Sequence, residues 1–181
     1  MCLCCTRCIG GNVNKFPNLE TAQRVNIAMP QAAAEAFAVH VAPTSSELTH
    51  APKNSRGHAF RFIYLSVAWA EQNQFASLWT QAQTRKTKGA AEKGLLDYAA
   101  TREPGTFEVY ALRLGRVLAG GQSAFNIMQE SVSQSISDEL VARCCINLAL
   151  DGRTKAEGGS ILENVDIFGD DDWANINTQV I

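Results

Sequence analysis

Cysteines, histidines and an acidic triplet are the residues of this 181-residue chain with the most chemistry in them. Cys2, Cys4, Cys5 and Cys8 crowd the first positions, and Cys144-Cys145 form a vicinal pair. Thiols beside a flexible terminus are accessible to acylation, and stable anchoring takes two acyl chains, so Cys2, Cys4 and Cys5 are candidate acylation sites. Two other readings compete for them. One is a metal cluster, although Cys-x-Cys-Cys-x-x-Cys lacks the paired loops of a zinc knuckle or ribbon; the other is a terminus without a role. The vicinal pair reads as helix packing, because adjacent cysteines make strained disulfides. No apolar segment of signal-peptide type follows Met1, so a reducing compartment with free thiols is expected.

Catalytic patterns are missing. His40, His50 and His58 have no i, i+4 partner that would place two imidazoles on one helix face. The sequence contains no Gly-x-Gly-x-x-Gly after a strand, no Gly-Lys-Ser/Thr phosphate loop and no Gly-x-Ser-x-Gly elbow. Asp170, Asp171 and Asp172 lack the alternate spacing of a calcium loop and read as a solvated acidic loop. The expectation is a non-enzymatic protein with no metal and no cofactor.

Charge is unevenly spread. Residues 1–52 hold three basic and three acidic side chains, 53–116 hold ten and five, and 117–181 hold three and ten. A basic middle and an acidic end suit head-to-tail docking of copies with a basic surface left for a polyanion; two ordinary solvated faces are the alternative. Apolar residues make up 46% of the chain, enough for a core. No apolar run reaches the roughly 18 residues of a membrane span.

The elements that would position these groups read as mostly helical. An irregular arm over 1–19 leads into a helix over 20–28. Met29-Pro30 marks a break, and an alanine-rich helix covers 31–42. Thr44-x-x-Glu47 has the form of a capping box, and 51–57 reads as a linker. Phe62, Leu65 and Trp69, then Phe75, Leu78 and Trp79, recur at helical spacing and predict a long amphipathic helix, or two, over 58–83. Further helices are expected over 88–100, 122–130 and 135–150, with turns at Pro104-Gly105, Gly120-Gly121 and Asp151-Gly152. Residues 107–118 are mixed, strand-like at first. The fold class expected is mainly α: an N-terminal arm with short helices (1–57), a helical bundle core (58–152) and an extended C-terminal arm (153–181).

Several segments carry a resemblance in the right order along the chain. Phe60-Arg-Phe-Ile-Tyr-Leu-Ser-Val-Ala-Trp-Ala70 resembles the run that enters the first bundle helix of tobamovirus-type coat proteins. Thr106-Phe-Glu-Val-Tyr110 is similar to the segment before that family's third helix, and Ala142-Arg-Cys-Cys-Ile-Asn147 to its last helix. Ile161-Leu-Glu163 and Trp173 resemble the closing motifs of rod-shaped virus coats. The long arms are more like those of flexuous filamentous coats. Ala111 stands where the family has an arginine, with Arg113 two places on, and Cys144 replaces a serine.

The resemblance implies a virion subunit, found in host cytoplasm, that assembles with copies of itself into a helical nucleocapsid around single-stranded RNA. Arg113, Arg116 and Arg143 are then the candidate phosphate contacts, since a guanidinium fork matches phosphate oxygens. Phe107 and Tyr110 are candidate base-stacking rings. A solvated face is the alternative for Arg113 and Arg116, and an ion pair with Glu139 for Arg143. A membrane-tethered interaction protein, acylated at its N-terminal cysteines, is the competing function; under the coat reading no stable membrane partner is expected.

Overall fold

The computed structural model describes residues 4–7, 10–42, 59–118, 135–152 and 159–169. Its centre is a four-stranded parallel sheet in the order β1-β2-β3-β6, made of β1 (Cys4–Arg7), β2 (Phe60–Val67), β3 (Phe107–Leu114) and β6 (Ile161–Glu163). A second, two-stranded parallel sheet pairs β4 (Arg116–Leu118) with β5 (Ser135–Ser137). The helices are α1 (Leu19–Gln23), α2 (Met29–His40), α3 (Ala82–Ala100), α4 (Asp138–Leu150) and α5 (Asn164–Gly169). This α/β architecture replaces the expected mainly helical bundle with arms.

The decisive difference lies at β2. Phe60, Phe62 and Tyr64 join a core with α2 and α3, while Ile63 joins a second core with α4. A strand covered on both faces is apolar at nearly every position, so its period of two disappears from the sequence. The helical spacing of Phe62, Leu65 and Trp69 is a by-product of that density. Parallel pairing aligns β2 with β3 residue by residue, from Phe60 opposite Phe107 to Val67 opposite Leu114. The first two coat-like segments are therefore adjacent strands, and Ile161–Glu163 is an edge strand beside β3.

The N-terminal region is also part of this body. β1 pairs with β2, Cys4 opposite Arg61 and Cys5 opposite Phe62, where an irregular arm was expected. The break expected at Met29-Pro30 does not occur either. A π-helical turn over Arg24–Ala28 joins α1 to α2, and the Met29 N–H reaches Arg24 O. Pro30 has no N–H to offer the Asn26 carbonyl, and the Tyr64 hydroxyl donates to it at 3.3 Å. Ala34 and Ala38, with Ala42 just beyond the helix, then let α2 approach the sheet, where its Phe37 stacks on Phe60 and Phe60 on Phe107, successive centroids lying 5.1 and 5.9 Å apart. Removing each such ring from water contributes about 2–3 kcal/mol.

On the opposite face, Leu112, Leu114, Ile136 and Leu162 pack beneath α4, which contributes Val141, Cys144 and Leu148. That helix starts at Asp138, one turn later than expected, because Ser135–Ser137 is strand; Ser137 caps it by accepting the Leu140 N–H. Buried Arg61 closes its far end, donating to the carbonyls of Ala149 (2.9 Å) and Leu150 (3.1 Å) and to Glu108 (3.0 Å). A cation at the negative end of a helix dipole is favourable there.

Candidate functional site

Because all four strands of the main sheet are parallel, their carboxyl ends share one edge, and α3 returns its N-terminus to it. The inward face of α3 changes character along its length. Thr84, Thr87, Lys88 and Glu92 are buried near that edge, and Ala91 and Leu95 lie in the aromatic core. Polar side chains at helical spacing read as a solvated face in sequence; here they meet polar strand ends.

Glu92 is completely buried and holds a network together. It accepts from the Ser66 hydroxyl, from the Gln72 amide (3.3 Å) and from Arg113 through two nitrogens (2.7 and 3.1 Å). Arg113 also bonds Glu163 on β6 at 3.0 Å. The Glu92 hydrogen bond, reinforced by Glu163, holds the Arg113 pKa above its already high ordinary value against the opposing effect of burial. The guanidinium is permanently charged and fully engaged within the fold.

Beyond this network a cavity of about 300 Å³ opens outside the carboxyl ends of β2 and β3. Val67, Ala68 and Trp69 line one side, Leu114, Gly115 and Arg116 another, and Thr80, Gln81 and Arg85 at the start of α3 a third. Open α/β sheets bind ligands outside the carboxyl ends of their strands, and this crevice lies at that edge, although the order β1-β2-β3-β6 has no reversal between β2 and β3. Arg85 donates its Nε to Trp69 O at 2.7 Å, which fixes the guanidinium while its terminal nitrogens have no partner among the described residues. Arg116 is exposed and makes no ion pair among them. Trp69 has left-handed backbone (φ 58°) and is 61% exposed, its ring unpaired with any described aromatic. Two guanidinium groups and an open indole face thus meet at one helix N-terminus, an arrangement suited to an anion carrying an aromatic group.

The five residues proposed for RNA contact are scattered by this fold. Phe107 is buried in the ring stack and Tyr110 in the opposite core, its hydroxyl donating to Glu108 at 3.1 Å. Arg113 is engaged as described, and Arg143 pairs with Glu139 at 2.6 Å on the surface of α4, the alternative the spacing had offered. Of the five, Arg116 lines the crevice. Cys4 is exposed and Cys5 half-buried, both inside β1; Cys2 and Cys8 lie outside the described residues, as do His50, His58 and Asp170 to Asp172. Cys144 is buried in the α4 core, as expected of the vicinal pair.

Trp69 falls on the packing stripe of the helix expected over 58–83, and Arg85 lies between that helix and the one expected over 88–100, so neither stands out in the sequence. The signal that could have found them is the polar run Glu71 to Gln74 between two aromatic groups, which reads equally well as a loop. Among the described residues no group of His, Cys, Asp and Glu is placed to hold a metal, and no helix is long and apolar enough to cross a membrane. No family model matches the sequence, and no curated protein matches it.

Proposed function

We propose that this chain is a ligand-binding α/β domain whose crevice takes a nucleoside phosphate. The observation that carries the reading is the meeting of Arg85, Arg116 and the exposed Trp69 ring beyond β2 and β3. Phosphate oxygens pair with the two guanidinium forks and the start of α3, and the base lies on the indole. A cavity of about 300 Å³ stands at the lower end of small-molecule sites, which favours a mononucleotide over a dinucleotide. The reading assigns binding and no reaction.

The coat-subunit expectation rests on the segment resemblance and is a separate reading, which shares Arg116 with this crevice. Titration of the full chain with UMP and UDP tests the proposal by calorimetry and by quenching of tryptophan fluorescence. Saturable binding is expected, with UDP the tighter ligand and Arg116→Glu weakening both by about tenfold or more. Absence of saturable binding at millimolar ligand overturns it.

A further inference from the structure

The loop that borders the crevice holds two aromatic side chains entirely in water. Phe75 is 98% and Trp79 100% exposed, on the segment between Trp69 and the first turn of α3. Neither ring touches another described aromatic. Their display does not come from a loose loop. Glu71 N–H donates to Arg85 O (3.0 Å), the Gln74 amide donates to Lys86 O (3.1 Å), and Asn73 Oδ1 accepts the Phe75 N–H (3.0 Å). Gly89 lets the loop lie directly against α3, since a Cβ there would stand 2.0 Å from Glu71 O. Phe75 is therefore held outward on a backbone clamped to the same helix that opens the crevice, and Trp79 stands three residues before that helix begins.

The surroundings are cationic and polar. Arg85, Lys86 and Arg116 stand near this edge, with Glu71 on the loop itself, while Glu92 and Glu163 are paired with Arg113. Ser77, Thr80 and Gln81 are exposed and polar between and beside the rings. A bilayer would have to desolvate those hydroxyl and amide groups, whereas base edges can pair with them. Separate rings beside cationic side chains are what successive unstacked bases and their phosphates require, and a paired duplex hides its base faces.

We infer that the crevice continues over loop 71–81 as a track for single-stranded nucleic acid. Trp69, Phe75 and Trp79 are its base platforms, and Arg85, Lys86 and Arg116 its phosphate contacts. The inference rests on the nucleoside-phosphate reading and extends it from one nucleotide to a strand.

Fluorescence anisotropy of a labelled oligouridine of roughly ten nucleotides, run beside UMP calorimetry, separates the two. The full chain is expected to bind the oligomer about a hundredfold more tightly than UMP, with affinity falling as salt rises. The double variant Phe75→Ala/Trp79→Ala removes only solvent-exposed rings, so its thermal melt should match the parent. It is expected to lose about tenfold or more in oligomer affinity and to keep its UMP affinity. Oligomer binding no tighter than UMP, or unchanged in the double variant, overturns the track and leaves the nucleotide site standing. Equal affinity for a duplex, or adsorption to phosphatidylserine vesicles without oligomer binding, overturns it as well. Failure of UMP and oligomer together overturns both readings.

Discussion

Two strand ends of the same sheet edge carry polar loops, and they have opposite fates. Beyond β1 the described chain resumes at Gly10-Gly11, where a parallel α/β protein would be expected to cradle a phosphate. That place is filled from within. Asn26 Oδ1 accepts the Gly11 N–H at 3.0 Å, Thr84 accepts the Val13 N–H at 3.1 Å, and Lys88 Nζ reaches Leu65 O at 3.4 Å over the Tyr64 ring. Gly10 has a φ of 149°, and a Cβ there would stand 2.8 Å from both Asn26 Oδ1 and Lys88 Nζ. Beyond β2 and β3, by contrast, guanidinium groups and an indole end in open space. The donors of the first place are spent on internal acceptors, whereas the terminal nitrogens of Arg85 in the second have none among the described residues.

The largest loss of stability is expected at the floor of the open end. Arg113→Met leaves Glu92 buried without its cation and should cost about 3–5 kcal/mol in urea denaturation. Adding Glu92→Leu should recover most of that loss, since an apolar pair of similar volume replaces the buried ions without stranding either one. A double variant as unstable as the single one would mean that the network is needed for packing and not merely for neutrality.

Gly89→Ala comes next. Its methyl meets the Glu71 backbone, which cannot yield without unclamping the loop, so a loss of about 2–3 kcal/mol is expected. Gly94→Ala is the control on the same helix. There the new Cβ meets the end of the flexible Gln31 side chain, and the change should be neutral or stabilising by up to about 1 kcal/mol in thermal unfolding. At the closed end, Asn26→Ala removes the acceptor of Gly11 and the donor to Ala22 O, for about 1–2 kcal/mol. If the closed end is a latent site, this variant should also gain measurable UDP binding; stability loss without such binding keeps the two ends distinct.

Arg116→Glu should leave the chemical denaturation midpoint nearly unchanged, within about 0.5 kcal/mol, while weakening the ligand, because an exposed and unpaired arginine contributes little to the fold. The smallest effect concerns pH. The Arg113 pKa is raised, so its contribution to stability is fully present below its ordinary value and is lost only above that. Melting temperatures between about pH 6 and 10 should carry no inflection from this guanidinium. A step in that window that disappears in the Arg113→Met/Glu92→Leu pair would contradict it.

Local signals served well where they act over a few residues. Alanine content marks α2, acidic residues in the first turn mark α4, and Pro104-Gly105 and Asp151-Gly152 fall where the chain turns or a helix stops. They failed at β2, whose two buried faces erase the alternation that identifies a strand. They failed at β1 too, because Cys-Cys-Thr-Arg becomes a strand only by hydrogen bonding to Arg61 through Tyr64. Arg116 was legible as an arginine suited to phosphate. The pairing that disqualifies Arg113 depends on Glu92 and Glu163, 21 and 50 positions away.

The sequence by itself determined the helices that follow alanine, capping and charge preferences, and the supply of apolar residues that must be buried. It also determined that no short reactive motif is present. The tertiary structure decided the sheet and the site, because the registers that place Val67 beside Leu114 are hydrogen bonds between residues far apart in the chain. Those registers bring the ends of two strands to one edge, α3 returns its first turn there, and three segments that share no local pattern form one crevice.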